Sequence, residues 1–357
     1  MQHRAARAGR STIALFAIAS LLAACGDDIT NNVPSVNSFN ETKLVANNAA
    51  GGAAMVDPKL VNPWGLAFSS TGILWASDNG SGVSTLYNAD GTALPAIFPV
   101  IGLGNGGVGT PTGVVFNSSS NFVIPGFGPA AFIFAGIDGT IAASNPSSAR
   151  ALIVVNRSAQ TAEYTGIAIA SNAGANFVYA ANFRHNQVDV FDANFQFVHS
   201  FTDSTMAADF APFGIANIGG QLWVTFAKQA GGPGGTNDEA GVGNGFVDVF
   251  NADGSLSHRF ASNGQLNSPW AVVRAPAGFG AIGGDILIGN FGDGKIGVFD
   301  PSTGAFRTFL HDANGDEIEI DGLWGLVFGP SATSTTLYFA AGTNDEHDGL
   351  LGTITAR

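Results

Sequence analysis

The chain has 357 residues, of which 45% are hydrophobic and 11% are charged, and its 27 acidic and 14 basic side chains give a formal net charge of −13. This hydrophobic content is too high for a disordered chain. A single cysteine excludes an intramolecular disulfide framework and a cysteine-based metal cluster. Nucleic-acid binding needs clustered basic side chains, and these are sparse in this acidic chain, so we expect no nucleic-acid partner.

The first 25 residues have the pattern of a bacterial lipoprotein signal. Three arginines precede an uncharged apolar stretch at 12–24, which has about the length of a signal-peptide core and is too short to cross a bilayer. This stretch ends in Leu-Ala-Ala-Cys, which puts the chain's one cysteine, Cys25, at the lipidated position. The sequence predicts a signal peptide at 1–24, a lipid on Cys25 and a flexible tether at 25–38. An ordinary signal with an incidental cysteine is the alternative.

The residue after Cys25 bears on the destination of such a lipoprotein. In enterobacteria an aspartate there retains lipoproteins at the inner membrane, whereas this chain has Gly26. The sequence therefore favours secretion across the inner membrane and anchoring at the outer membrane. No later apolar run has the length of a transmembrane helix, so we expect the protein to be attached to the membrane through its lipid. We also expect it to be a monomer.

After the tether, one pattern recurs six times. It combines a proline, an aromatic residue and a glycine with a β-rich stretch that ends in Asp or Asn, followed by a V-x-V-F-type strand and a turn. The landmark residues, aromatic in five copies, are Trp64, Thr112, Tyr164, Phe213, Trp270 and Trp324. They lie 48 to 57 residues apart, as expected for four-stranded propeller blades with variable loops. We predict an all-β fold, a six-bladed β-propeller of four-stranded blades, over 39–357.

Two details of the ring can be predicted. The sixth copy ends near Ile354 without an outer strand, and the strand-like segment Thr42–Val45 belongs to no copy. We predict that this N-terminal segment forms the outer strand of the last blade, which leaves no open edge in the ring. In the second copy, residues 122–124 and 132–134 are interpreted as the second and third strands.

The repeats resemble those of NHL-repeat propellers, most clearly in the third copy from Thr165 to Asp192. The segments LVNPWGLAF, LNSPWAVVRAPAGFG, IGNFGDGKIGVFD and DGLWGLVFG also resemble a family of uncharacterised secreted bacterial propeller proteins, and this resemblance covers 39–357. It implies the fold and no particular activity. NHL-like propellers include protein-binding platforms and a few lyases and lactonases, so the fold alone does not identify the function.

The aromatic landmarks form the first candidate site. Equivalent positions on the inner strands could place Trp64, Tyr164, Phe213, Trp270 and Trp324 in a collar at one mouth of the central channel. Such a collar would suit a sugar ring or an apolar ligand. The alternative is that these residues pack between blades.

The second candidate site consists of Asp78, Asn182 and Asn290, at equivalent ends of the second strands. Oxygen ligands that converge at a channel mouth would suit Ca²⁺, whereas turn capping is the structural alternative. Two acidic loops, Gly231–Gly245 and Asn344–Asp348, could bind a cation or a partner, or could be solvated.

The sequence contains neither H-E-x-x-H nor G-x-S-x-G, so it identifies no catalytic residue and leaves enzymatic activity open. Our first hypothesis is a lipid-anchored extracytoplasmic propeller that binds a small molecule or a protein. The alternative is a Ca²⁺-dependent lyase or hydrolase acting at the channel mouth.

Overall fold

The computed structural model describes residues 38–331 and 333–357, which form six antiparallel sheets arranged as the blades of a ring. The predicted signal peptide, Cys25 and the tether up to residue 37 lie outside the described residues. Ser38, the last residue of the predicted tether, forms a β-bridge with His311. Among the described residues, no helix has the length and hydropathy needed to span a bilayer.

The strands follow the repeats in chain order. Before the first repeat come β1 (Phe39–Ala46) and β2 (Met55–Val56). From the channel outward, blade 1 consists of β3 (Pro63–Phe68), β4 (Leu74–Asp78), β5 (Val83–Tyr87) and β6 (Phe98–Pro99). Blade 2 consists of β7 (Pro111–Phe116), β10 (Phe132–Gly136), β11 (Thr140–Ser144) and β12 (Leu152–Asn156), with the inserted pair β8 (Val123–Ile124) and β9 (Gly128–Pro129). Blade 3 consists of β13 (Tyr164–Asn172), β14 (Ala175–Asn182), β15 (Gln187–Phe191) and β16 (Phe197–Phe201).

Blades 4 to 6 have the same order. Blade 4 consists of β17 (Phe210–Ile218), β18 (Gln221–Lys228), β19 (Gly245–Phe250) and β20 (Leu256–Ser262). Blade 5 consists of β21 (Pro269–Arg274), β22 (Ile286–Asn290), β23 (Ile296–Phe299) and β24 (Phe306–Phe309). Blade 6 consists of β25 (Leu323–Phe328), β26 (Thr336–Ala341) and β27 (Leu350–Ala356), with β1 outermost. Short 3₁₀ turns lie at Ala49–Gly51, Asn105–Gly107, Ser158–Gln160, Phe183–His185 and Gly280–Ile282.

The predicted closure of the ring is confirmed. Strand β1 pairs antiparallel with β27, from Phe39 opposite Ala356 to Ala46 opposite Leu350. The N-terminal strand therefore completes the blade that the C-terminal strands begin, and the two ends of the propeller domain are held in one sheet.

The prediction for blade 2 was wrong in its strand assignment. Residues 132–136 form its second strand and 140–144 its third, whereas Val123 and Ile124 belong to a separate hairpin in the loop after the inner strand. Val123 is 52% exposed, whereas Phe122 and Ile124 are buried in the core between blades 2 and 3, so this apolar run anchors the loop without joining the sheet. Runs of three apolar residues do not distinguish these two situations.

The core of the propeller lies between neighbouring blades. Along the inner strand β3, Leu66 packs with Tyr338 of blade 6, whereas the next residue, Ala67, packs with Phe132 of blade 2. This alternation is expected, because successive side chains of a strand point to opposite faces. The inner strands therefore place their side chains between blades and turn their free backbone edges toward the channel.

Glycines bring the inner strands close together around the channel. A Cβ atom on Gly65 would lie 2.7 Å from the carbonyl oxygen of Thr112, and one on Gly113 would lie 2.8 Å from the amide nitrogen of Ile167. Equivalent contacts with the backbone of the next blade involve Gly166, Gly214 and Gly325. In five of the six blades, the glycine of the repeat thus permits a backbone approach that a side chain would prevent.

Candidate functional site: the central channel

A β-bulge occurs in every inner strand near the landmark of the repeat. In blade 4, Pro212 pairs with Phe226 and Gly214 pairs with Thr225, so Phe213 is an extra, unpaired residue. The other five inner strands have an equivalent shift of register. Bulges bend a strand and redirect a side chain, and here they direct the large landmark side chains toward the channel axis.

Tyr164 is not part of this set. In blade 3 the extra residue is Thr165, because Tyr164 pairs with Asn182 just as Pro269 pairs with Asn290 in blade 5. A shift of one residue places a side chain on the opposite face of a strand. Tyr164 accordingly packs between blades, where its hydroxyl donates a hydrogen bond to Asp189 at 2.8 Å.

The other four predicted collar residues meet across the axis and close one end of the channel. Trp64 stacks on Trp324 with ring centroids 3.5 Å apart, and Trp270 meets both rings edge to face at 6.3 and 5.7 Å. Phe213 contacts Trp324 at 5.6 Å. Because these rings are covered by one another, the contacts favour the packing interpretation for Trp64, Phe213 and Trp324, which are at most 6% exposed. We call this end the closed end.

Three further side chains complete the closed end, and the repeat pattern did not reveal them. Phe291 stacks on Trp324 at 3.9 Å, and Phe183 lies 5.1 Å from Phe213. Ile137 packs against the same cluster from blade 2. The bulged residues of blades 2 and 3 are threonines, so Ile137 and Phe183 supply the apolar side chains that those blades lack at the landmark position.

The two predicted acidic loops both reach the closed end. In the Asn344–Asp348 loop, Glu346 accepts a hydrogen bond from the amide of Asn62, which in turn accepts one from the indole of Trp64. In the Gly231–Gly245 loop, the amide of Gly241 donates a hydrogen bond to Asn267 at 2.7 Å. These contacts tie both loops to residues beside the aromatic cluster.

Carboxyl groups near the closed end have raised pKa values. Burial raises the pKa of Glu346, and the negative charge of Asp238 raises it further. Burial also raises the pKa of Asp238 itself. In blade 3, burial raises the pKa of Glu163 to about 7, although the positive charge of Arg184 opposes the shift. No sequence motif distinguishes Glu163 from the other acidic residues.

Each of the three predicted calcium ligands forms hydrogen bonds with its own, separate set of neighbouring residues. Asp78 accepts a hydrogen bond from the Thr85 amide at 2.9 Å, and burial raises its pKa. Asn182 accepts from the Glu163 amide at 3.2 Å, and its own amide donates to Asp189.

Asn290 resembles Asn182. It accepts a hydrogen bond from the Asn267 amide at 3.2 Å and donates one to the Gln265 carbonyl at 2.8 Å. Among the described residues, no side chain or backbone group accepts or donates hydrogen bonds to the side chains of two of the three predicted ligands. Within that part of the chain, no group of three or more His, Cys, Asp or Glu side chains is arranged to hold a metal ion.

The remainder of the channel is a cavity of about 650 Å³. Its wall is formed by all six inner strands, at residues 65–68, 113–116, 166–169, 215–219, 270–274 and 325–328. Four residues of strand correspond to a depth of roughly 13 Å. Trp270 is the landmark ring that faces this cavity, and Phe68, Phe116 and Phe328 stand at the opposite, open end.

Among the described residues, Arg274 is the one titratable side chain that lines the cavity. It is exposed at the open end, and its Nε donates a hydrogen bond to the Gly284 carbonyl at 3.2 Å. A second cavity of about 610 Å³ lies beside the first, between loops of blades 5 and 6, and both cavities are lined by Arg274 and Phe328. No repeated residue type marks the last position of the inner strand, which Arg274 occupies in β21, so the repeats did not reveal it.

Comparison with solved structures supports the fold. The selenomethionine-substituted virginiamycin B lyase from Staphylococcus aureus superposes with a TM-score of 0.53 at 16% identity, over 89% of this chain and 99% of that one. A streptogramin B lyase gives a TM-score of 0.53 at 12% identity, over 89% and 97% of the two chains. At these identities the likeness establishes the propeller fold alone.

Sequence comparison identifies relatives of unknown function. No family model matches the chain. The uncharacterised protein R648 of Acanthamoeba polyphaga mimivirus is 30% identical over 94% of this chain and 86% of its own length. The uncharacterised protein L690 of the same virus is 32% identical over 91% and 90% of the two chains. The chain therefore belongs to the family that these mimivirus proteins represent.

Proposed function

We propose that the propeller is a binding module that holds a small ligand in the open half of its channel. The observation that carries this proposal is the composition of the cavity wall. A volume of about 650 Å³ is within the range of small-molecule sites. The lining residues include no Asp, Glu, His, Ser, Thr, Cys, Lys or Tyr side chain that could act as a nucleophile or general base. This wall supports binding in preference to hydrolysis or elimination.

The test is a thermal-shift screen with small organic acids, amines, sugars and short peptides. A ligand that binds the folded state raises the melting temperature by mass action. Asn217 stands at the open end, where it donates to the Ile169 carbonyl at 2.8 Å and accepts from the Gly220 amide. We expect Asn217→Trp to obstruct the mouth and reduce the shift caused by a binding compound.

Asn217→Ala is the matched control, because it removes the same two hydrogen bonds without adding bulk. Compounds that bind in the cavity should stabilise the wild type and Asn217→Ala alike. Compounds that stabilise Asn217→Trp as strongly as the wild type would place the site elsewhere. If no compound in the screen acts differently on the two variants, the proposal is wrong.

We further propose that a lipid on Cys25 holds this binding module at a membrane on the extracytoplasmic side. The support is the Leu-Ala-Ala-Cys sequence with the chain's one cysteine at its end. Expression in a bacterial host with a radiolabelled fatty acid tests the proposal. Label should enter the wild type and be absent from Cys25→Ser, whereas equal labelling of both would contradict it.

A further inference from the structure

We infer that the channel takes an elongated carboxylate anion, whose charged end lies at Arg274 and whose body forms hydrogen bonds with the inner strands. This inference rests on the proposed function and specifies its ligand class.

Four of the seven arginines in the described part of the chain, Arg150, Arg184, Arg274 and Arg357, form no ion pair, and Arg274 is the one of these four that lines the cavity. Arg157, Arg259 and Arg307 each form ion pairs with aspartates, among them Asp189 and Asp248. Among the described residues, Arg274 forms no such pair, and only its Nε is engaged, by a carbonyl oxygen. Its two terminal nitrogens therefore remain available at the mouth of the cavity. A guanidinium group whose terminal nitrogens are available can bind a carboxylate through two parallel hydrogen bonds.

The wall of the cavity is polar in its backbone although its side chains are mostly apolar. Each inner strand is the end strand of its sheet, so only one of its edges pairs with a neighbouring strand. The other edge presents N–H and C=O groups to the channel. A hydrocarbon ligand would displace the water that is hydrogen-bonded to those groups and would offer no hydrogen bonds in its place. Leaving the groups unpaired in this way costs free energy. A ligand with donors and acceptors along its length avoids that cost, as peptides do at sheet edges.

The dimensions favour an elongated body. A cavity of about 650 Å³ with a depth of roughly 13 Å has a mean width of roughly 8 Å. This space accommodates an extended chain of about four residues, at about 3.3 Å per residue. Because the aromatic cluster fills the closed end, the ligand has to enter from the open end. Its carboxylate then stays beside Arg274, where water from the adjoining cavity still reaches it.

Calorimetric titration with a matched pair of probes tests the inference. The probes are N-acetyl-trialanine, which ends in a carboxylate, and its C-terminal amide, which has the same body without the charge. Because hydrogen bonds to a charged group are stronger than those between neutral groups, we expect the wild type to bind the acid at least about tenfold more tightly than the amide. Arg274→Gln should bind both probes equally.

Arg150→Gln is the control, because Arg150 is exposed in a loop that does not line the channel. It changes the net charge by the same amount and should preserve the preference for the acid. Equal binding of acid and amide by the wild type would overturn the role of Arg274 but leave the channel as the binding site. Binding of neither peptide would overturn the ligand class. The proposed function itself is tested separately, by the thermal-shift comparison of the Asn217 variants.

Discussion

The closed and open ends of the channel are built from the same six strands, yet they differ in what occupies the axis. At the closed end, bulged residues direct Trp64, Phe213, Trp270 and Trp324 inward, and the rings fill the space. Beyond the glycines the strands are regular, so their side chains return to the spaces between blades and a cavity remains. One extra residue per strand thus separates a sealed end from an accessible one.

The largest expected effect comes from removal of the central ring of the closed end. Trp324 contacts Trp64, Trp270, Phe213 and Phe291, and it is 2% exposed. We expect Trp324→Ala to lower the free energy of unfolding by about 4 kcal/mol, because truncation of a buried Trp leaves a large cavity. Urea denaturation measures the change.

Phe328→Ala provides the comparison at the open end. Phe328 is only partly buried, so its truncation should cost less than half as much as that of Trp324. Equal losses at the two ends would contradict the distinction between them.

A smaller loss is expected from the glycines that separate the two ends. In Gly65→Ala, the new methyl group would lie 2.7 Å from two backbone atoms of blade 2, and the neighbouring strand would have to move. We expect a destabilisation of about 2–3 kcal/mol, measured by urea denaturation.

Gly278→Ala is the matched control. Gly278 is exposed, and its nearest neighbour beyond the adjacent residues is the side chain of Thr335. The substitution should change stability by less than about 0.5 kcal/mol. If Gly65→Ala is as well tolerated, the close approach of blades 1 and 2 is not required.

The pH dependence of stability provides a test of the electrostatics near the closed end. The pKa of Glu163 is about 7 in the folded protein and 4.5 in a model compound, so the folded state holds this proton more tightly. The associated stability is fully present below pH 4.5 and is lost as the pH rises through about 7.

Glu163→Gln removes this titration. Relative to the variant, the wild type should lose on the order of 1 kcal/mol between pH 4.5 and pH 8, as measured by urea denaturation at several pH values. Parallel profiles for the two proteins would show that Glu163 does not titrate in this way.

The smallest expected effect is that of calcium. The oxygens of Asn182 and Asn290 already accept hydrogen bonds from backbone amides in their own blades. We therefore expect millimolar Ca²⁺ to change the melting temperature by less than about 1 °C. A larger increase that is lost in Asp78→Asn would instead support the calcium site predicted from the sequence.

The repeats were sufficient to predict the six blades and the closing strand, because each blade repeats the same alternation of apolar residues. They did not predict the bulges, since an extra residue becomes visible only when the pairing partner is known. This is why Tyr164 was aligned with the landmarks, although Thr165 occupies the bulge. Phe183 and Phe291 were missed for a related reason, because they follow the second strands and reach the axis only through the curvature of the ring.

The most direct test of the account compares two thiols on one strand. Ala211 and Ala216 both lie on β17, but Ala211 is buried in the aromatic cluster of the closed end, whereas Ala216 is partly exposed and lines the open cavity. Ala211→Cys and Ala216→Cys are made separately in a Cys25→Ser background and treated with a thiol-specific reagent. The account predicts at least about a hundredfold faster reaction of the Ala216→Cys variant, because a buried thiol reacts only after local opening. Equal rates would contradict a channel that is sealed at one end and accessible at the other.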